Sequence, residues 1–569
     1  MNTKQEIIKS LAGFTKTLAG EPVEIKLEIP QDSAHGDYSC NVALQLSKKL
    51  GKNPREIADD LKTKIQDLNL DILEKVEVAG PGFLNFYLSK EYFSKNLDSI
   101  LDQKENYGKS DENKGQKVVV EYSSPNIAKP FTIGHLRSTI IGSALANILS
   151  ATGWQVFRDN HLGDWGTQFG KQIYAIKEWG NESDIENAEN PVKELVSLYV
   201  KFHEEAEKNP ELEDRARAWF KKLEDGDPEA RRLWQKCIDW SFKEFDKLYK
   251  ALDVSFTENN GRGFGESYFE DKMTPIVAEL EEKKLLKEDK GAKLVYFEND
   301  KYPPLMVLKQ DGATLYSTRD LATDKHRLET HGDEVVIINE VGAEQSLYFN
   351  QLYELEKILG WVKEGQRIHV RHGLYRFKDM KMSTRRGNTI WLEDVLREAI
   401  DKAQKLGKEG ETVSKEIGIG ALKWNDLKRD PVADIVFDWD DMLSMDGNSG
   451  PYVQYTYART QSILAKVEGI SSELRIQDLE LNKEELELLR KLQYFSEIVS
   501  FASSNLSTSV LCNYLYELAK EFNLFYEKHR ILNIEDEDTK AFRIELTAAV
   551  GQVIKNGLTL LGISSPQKI

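Results

Sequence analysis

One stretch limits the fold of this chain more than any other. The β-branched run Lys117-Val118-Val119-Val120 passes through a polar loop into an apolar segment at helical spacing that stops at Gly153. The first part reads as a buried strand and the last as a helix. The loop between them carries Pro125, Lys129, Pro130 and His135. Backbone N–H groups at a helix start have no intrahelical partner, and the helix dipole is positive there, so such a loop can cradle an anion. Lys129 and His135 would add donors. An ordinary strand-to-helix turn has the same outline, so the loop alone does not decide.

The rest of the chain gives the architecture. From Val118 to about Trp391 strands alternate with helices, most clearly at Gln155-Val156-Phe157, at 334–339 and at Ile368-His369-Val370. That alternation predicts a mostly parallel sheet covered by helices. With 569 residues several domains are expected, since single cores stop growing at about 250–300 residues. The prediction is a multidomain α/β plus all-α protein. Residues 1–108 form an α+β domain with helical periodicity over 48–61 and a strand over 83–88, broken at Gly80-Pro81-Gly82. Polar residues 108–115 read as a linker. A Rossmann-like catalytic domain spans 116–390, with a charged helical insertion at about 178–300, clearest to about 255. A connecting region covers 391–448. Residues 449–569 form a helical domain, in which Leu511, Leu515, Leu518, Phe522 and Phe525 recur every three or four residues.

Composition excludes some classes. No apolar run approaches the ~18 residues needed to span a bilayer, and Met1-Asn2-Thr3-Lys4 opens no secretion segment. Cys40, Cys237 and Cys512 stand far apart, so neither a disulfide framework nor a thiolate zinc site is signalled. His161, His326 and His331 lack ligand spacing, so no metal is assigned to protein side chains. A cytoplasmic protein is expected. The net charge of −18 argues against indiscriminate nucleic-acid binding but not against a local basic track.

A second informative stretch, Lys381-Met382-Ser383-Thr384-Arg385-Arg386-Gly387, follows the strand-like run 373–377. A basic loop facing a phosphate cradle can neutralise charge on a leaving pyrophosphate. Together with the first loop it resembles a known pair. Pro130-Phe131-Thr132-Ile133-Gly134-His135 is similar to the His-Ile-Gly-His motif of class I aminoacyl-tRNA synthetases, and Lys381–Arg385 to their Lys-Met-Ser-Lys-Ser loop. The longer strings 123–139, 163–170, 341–347 and 450–455 resemble the arginyl-tRNA synthetase family specifically, over nearly the whole chain. Two positions depart from the motifs, Thr132 for the first His and Thr384 for the second Lys. Lys129, Arg385 and Arg386 are the candidates to restore the missing cation, Lys129 first.

The resemblance implies an activity: arginine and ATP form arginyl-adenylate and pyrophosphate, and the arginyl group passes to the terminal adenosine of tRNA(Arg). It implies catalytic roles for Lys129, His135, Lys381 and Arg385. ATP contacts fall on Pro130, Phe131, Thr132, Ile133, Gly134, His135, Gly163, Asp164, Gly166, His372, Lys381, Met382 and Ser383. Arginine contacts fall on Glu121, Ser123, Asn126, Tyr316, Asp320 and Gln345. A guanidinium is a planar fork of donors that suits a carboxylate, so Asp320 or Glu121 would pair it. Arg137 either assists at the phosphates or pairs an acidic neighbour. Tyr452, Tyr455, Tyr457 and Arg459 are the expected tRNA contacts, suited to unstacked bases. The partners are then tRNA(Arg), L-arginine and ATP with magnesium, with no obligate protein partner, no protein-bound zinc and a tRNA requirement for arginine activation. Rival readings are a nucleotidyltransferase without a tRNA step, a silent RNA-binding paralogue, and a cysteinyl enzyme, which the missing Cys/His spacing disfavours. Gly261-Arg262-Gly263-Phe264-Gly265 reads as a turn.

Overall fold

The computed structural model describes residues 3–310, 312, 314–377, 390–406, 410–467 and 476–569. Its central sheet has four parallel strands in the order Arg367–His372, Val336–Gly342, Lys117–Glu121, Gln155–Asp159. Val118, Val119 and Val120 are fully buried, worth about 1.5–3 kcal/mol each against exposure. From Lys117–Glu121 the chain crosses first to Gln155–Asp159 on one side and later to Val336–Gly342 on the other. Strand order therefore reverses beside Glu121, and the crevice outside the carboxyl ends of these strands is where such folds bind ligands. The helix Ile133–Ala151 follows the first strand and buries residues around its whole circumference, as a helix packed on all sides must.

The N-terminal domain packs the helices Thr3–Ala19, Val42–Leu50 and Pro54–Gln66 on a four-stranded antiparallel sheet. The single helix expected over 48–61 is two, because Gly51 caps the first in a left-handed conformation and Asn53 accepts the Arg55 N–H ahead of Pro54 in the second. Residues 108–115 are no free linker: the Ser110 and Asn113 N–H groups donate to the Ala151 and Thr152 carbonyls at 2.9 and 3.0 Å. The insertion is helical through Pro228–Ala251 and again at Met273–Glu282, and a three-stranded antiparallel sheet, Leu286–Asp289, Ala292–Val295 and Leu305–Leu308, takes the place of the last part of the helical stretch expected to about 300. Its alternation is short and mixed with charge, which hid the strands. Gly261–Gly265 is a turn, and Gly263 is a close approach, since a Cβ there would lie 2.2 Å from the Asn160 carbonyl oxygen.

Among the described residues the last domain holds the helices Gly450–Leu464, Lys483–Gln493, Phe495–Ser504, Thr508–Lys528 and Glu537–Leu560. The stripe Leu511 to Phe525 is buried in it. The N-terminal domain docks there, with Asp37 receiving the Arg490 guanidinium at 3.0 Å and Tyr38 donating to Glu497. Among the described residues no helix is long and apolar enough to cross a membrane.

Candidate active site

The crevice at the strand ends holds a buried ion network. Arg327, from the helix Tyr316–His331, donates to Glu121 and Asp159 at 2.6 Å each and to Asp324 at 3.0 Å. Asn339 also donates to Glu121, at 3.0 Å. Burial pushes the Glu121 carboxyl up, but Arg327 and His161 together outweigh it and hold the group below its ordinary value. Burial works against the Arg327 charge too, and the surrounding carboxylates overcome it. Arg367 pairs Asp324 and lies 2.9 Å from Glu356.

Above this network opens a cavity of about 280 Å³, lined by Glu121, Asn126, Tyr316, Asp320 and Gln345 among others. Five of the six residues expected to hold arginine thus meet in one space. The sixth, Ser123, turns away: its hydroxyl lies 2.9 Å from the Tyr249 hydroxyl and accepts from Thr139. Ser124 lines the cavity instead, and its buried hydroxyl has no hydrogen-bond partner among the described residues. Asp320, one helical turn after Tyr316, accepts from the Tyr348 hydroxyl, and its other oxygen lies 3.8 Å from His161 Nε2. It has no lysine or arginine partner among the described residues, and burial holds its carboxyl above the ordinary range. It is not an N-cap, a place taken by Leu315. Glu266, likewise raised by burial, adds a further carboxylate to the wall. Asp320 and Glu266 thus place two carboxylates on the cavity wall beside the Arg327 network.

The loop expected to cradle phosphate is strained and tied down. Ser123, Ser124 and Ala128 take positive φ of 74°, 46° and 56°. Their N–H groups donate to Ser138, Asn160 and Ser241 at 2.9, 3.0 and 2.9 Å. Lys129, half-buried, makes no hydrogen bond or ion pair among the described residues. Pro130 is half-buried beside it.

The helix start is less open than its sequence suggests. Thr132 is the N-cap, and the Thr132 N–H donates to His135 Nδ1 at 3.0 Å in a capping box. Burial pulls the His135 pKa down to about 4, so at neutral pH it is an uncharged ring whose free donor is Nε2–H. The Ile133 N–H donates to the Ile390 carbonyl at 3.2 Å, which removes one donor from the expected cradle. Phe131 and Ile133 are buried, Phe131 against Phe245 and Tyr249, so their side chains belong to the core rather than to a nucleotide surface. Gly134 remains exposed. Arg137 is buried, 3.2 Å from Asp426 and donating to the Ala433 and Pro431 carbonyls, so it pairs an acidic neighbour.

Gly163 sits against Asn126, where a Cβ would lie 2.4 Å from the amide oxygen. Asp164 accepts from the Ser267 N–H and hydroxyl at 2.8 and 2.7 Å, so its carboxylate holds the neighbouring loop. Gly166 has φ of 131°. His372 ends the edge strand with Nδ1 2.8 Å from Glu340; burial lowers its pKa and Glu340 more than restores it. Lys381, Met382, Ser383, Thr384, Arg385 and Arg386 lie outside the described residues.

In the helical domain Tyr452 and Arg459 line a groove with Lys520, Asn523 and Tyr526. The Arg459 guanidinium lies 4.9 Å from the ring centres of both Tyr455 and Tyr526. Tyr457 does not join them. It is buried and lines a different cavity, because position 457 falls on the opposite face of its helix.

Sequence reasoning missed Arg327, Ser124, His161, Tyr348 and Tyr526. Tyr348 stands just beyond the string 341–347 that carried the resemblance, the one local signal available. Arg327 sits in an ordinary amphipathic helix and carries none.

Known proteins add to this geometry. The description "tRNA synthetases class I (R), catalytic domain" matches residues 96–439, "Arginyl tRNA synthetase N terminal domain" residues 1–88 and "DALR anticodon binding domain" residues 453–569. The chain is 47% identical over 562 residues to the arginine–tRNA ligase of Clostridium perfringens (strain 13 / Type A), covering 96% of this chain and 97% of that one. It is 40% identical over 576 residues to the arginine–tRNA ligase of Clostridioides difficile (strain 630), covering 100% and 99%. The arginyl-tRNA synthetase structure from Plasmodium falciparum superposes with a TM-score of 0.81 at 26% identity, covering 100% of this chain and 99% of that one. That from Thermus thermophilus gives 0.82 at 22% identity, covering 100% of both chains, a likeness of fold alone. With a catalytic-domain match over more than half its length, the chain belongs to the arginyl-tRNA synthetase family.

Proposed function

We propose that the cavity beside Asp320 takes the side chain of L-arginine, and that the loop 123–135 holds the phosphates of ATP. As a family member the chain is an arginine–tRNA ligase, using ATP, arginine and tRNA(Arg) as substrates. One observation carries the pocket assignment: Asp320 lines the cavity with no arginine or lysine partner among the described residues, while Glu121 already has Arg327. A substrate guanidinium donating two parallel hydrogen bonds would compensate Asp320. Tyr316 would flank the aliphatic stem, and Asn126, Ser124 and Gln345 would orient the amino-acid end.

The arginine carboxylate attacks the α-phosphate, a P–O bond to pyrophosphate breaks, and arginyl-adenylate forms. No protein nucleophile is needed. The terminal adenosine hydroxyl of tRNA then displaces AMP from the arginyl carbonyl. The protein contributes position and charge. Lys129 supplies the cation, and neutral His135 donates through Nε2–H. Lys381 and Arg385 would add charge from the second motif. Magnesium enters with ATP, held by phosphate oxygens; the described residues contain no group of three or more His, Cys, Asp or Glu side chains able to hold a metal. Gly163, Gly166 and His372 would border the adenosine, and Tyr452, Tyr455, Arg459 and Tyr526 would meet unstacked tRNA bases. The domains 1–108, 116–390, 391–448 and 449–569 would divide this work, in the cytoplasm, with no membrane and no obligate protein partner.

Arginine-dependent pyrophosphate exchange, with and without tRNA(Arg), tests the reading. Exchange that requires tRNA is expected. Exchange in neither condition would point to a silent RNA-binding paralogue.

A further inference from the structure

Away from the active site, a cavity of about 630 Å³ lies between three helices: Lys90–Gln103, Gly450–Leu464 and Glu537–Leu560. Its walls include Asp98, Asp102 and Glu545, with Leu101, Leu464 and Ala548 between them. Glu545 is 4% exposed and has no hydrogen-bond or ion-pair partner among the described residues. Asp98 and Asp102 have none either. Lys104, which caps the end of Lys90–Gln103, and Lys555, further along Glu537–Leu560, also line it, and Lys555 is already matched by Glu105 at 3.3 Å. Asn556 fastens the walls together, donating to the Lys104 and Tyr107 carbonyls at 2.8 and 3.0 Å.

We propose that this cavity is a second ligand site, for a small organic cation with an aliphatic stem, whose ammonium or guanidinium group pairs Glu545 and Asp98. A buried carboxylate without a partner is costly, and a ligand cation removes the cost. Burial and the neighbouring Asp98 push the Glu545 carboxyl up to about 7, as expected of an acid lacking its counter-ion. Leu101, Leu464 and Ala548 offer the apolar contact that a methylene chain covers. The acidic wall repels phosphate, so RNA is not the occupant. The site joins the N-terminal domain to the helical domain, and its occupancy would fasten that junction. It is independent of the arginine pocket.

The test titrates 1,5-diaminopentane into the full-length chain by calorimetry, without L-arginine, which could itself fill the site. One saturable site per chain is expected, weakened at least ten-fold by Glu545→Gln and by the exposed Asp98→Asn, and unchanged in Asp320→Asn. A parallel titration of L-arginine into Asp320→Asn asks whether the amino acid itself is an occupant: arginine binding lost on adding Glu545→Gln identifies it as one. The absence of saturable diamine binding overturns the proposal. So does binding that survives both Glu545→Gln and Asp98→Asn, or that disappears in Asp320→Asn.

Discussion

The Arg327 guanidinium lies 2.6 Å from the Glu121 carboxylate, both buried at the carboxyl end of the central sheet. This pairing decides between two carboxylates that their positions in the chain left equal. Glu121 has its cation within the fold, which is why we propose Asp320 as the partner of the substrate guanidinium.

Asp320→Asn should therefore raise the KM for arginine on the order of a hundred-fold, since a desolvated charge-assisted pair is worth about 3 kcal/mol. Steady-state aminoacylation at varied arginine measures it. A KM within two-fold of the parent would remove Asp320 from the pocket.

Arg327→Met acts differently. It strands Glu121, Asp159 and Asp324 without their shared cation, and breaking such a network costs about 3–5 kcal/mol. The unfolding midpoint in urea should drop clearly, well beyond any change in Asp320→Asn. Equal midpoints for the two variants would contradict the ion network.

Lys129→Ala should slow adenylate formation about a hundred-fold while arginine affinity stays within a few-fold. Pyrophosphate exchange and arginine titration, both with tRNA(Arg) present, separate the two effects. A loss confined to arginine binding would mean that Lys129 does not act on the phosphates.

His135 gives a pH dependence with a definite sign. The folded protein keeps it neutral down to about 4, whereas the unfolded chain protonates it near 6.5. Its contribution to stability is complete above pH 6.5 and declines as pH falls from there toward 4. His135→Asn, which keeps an acceptor for the Thr132 N–H, should show a smaller drop in melting temperature between pH 7.5 and 5. Parallel curves for the two proteins would refute the neutral cap.

In the helical domain, Arg459→Ala should weaken tRNA binding by about 1–3 kcal/mol, the range of one stacked base, while Tyr457→Phe leaves it unchanged. Filter binding of tRNA(Arg) distinguishes them. A loss with Tyr457→Phe would place the RNA face on the other side of the helix.

Local chemistry determined a good part of this protein from its sequence. The valine run 118–120 could only be a buried strand, Gly450-Pro451 could open a helix, and the two polar loops carried the family likeness. Their period and punctuation are properties of neighbouring residues. The short insertion strands 286–308 escaped because their patterns are too brief to outweigh charged neighbours. Only the tertiary structure decided which charges are spent internally. Arg327 and Glu121 are 206 positions apart, as remote in the chain as any unrelated pair, and pairing between them depends on strand order. The same holds for Ser123 turning to Tyr249, for His135 closing its own cap, and for Glu545 left without a cation. Burial and long-range pairing set the charge state of each group, and these arise when the chain folds.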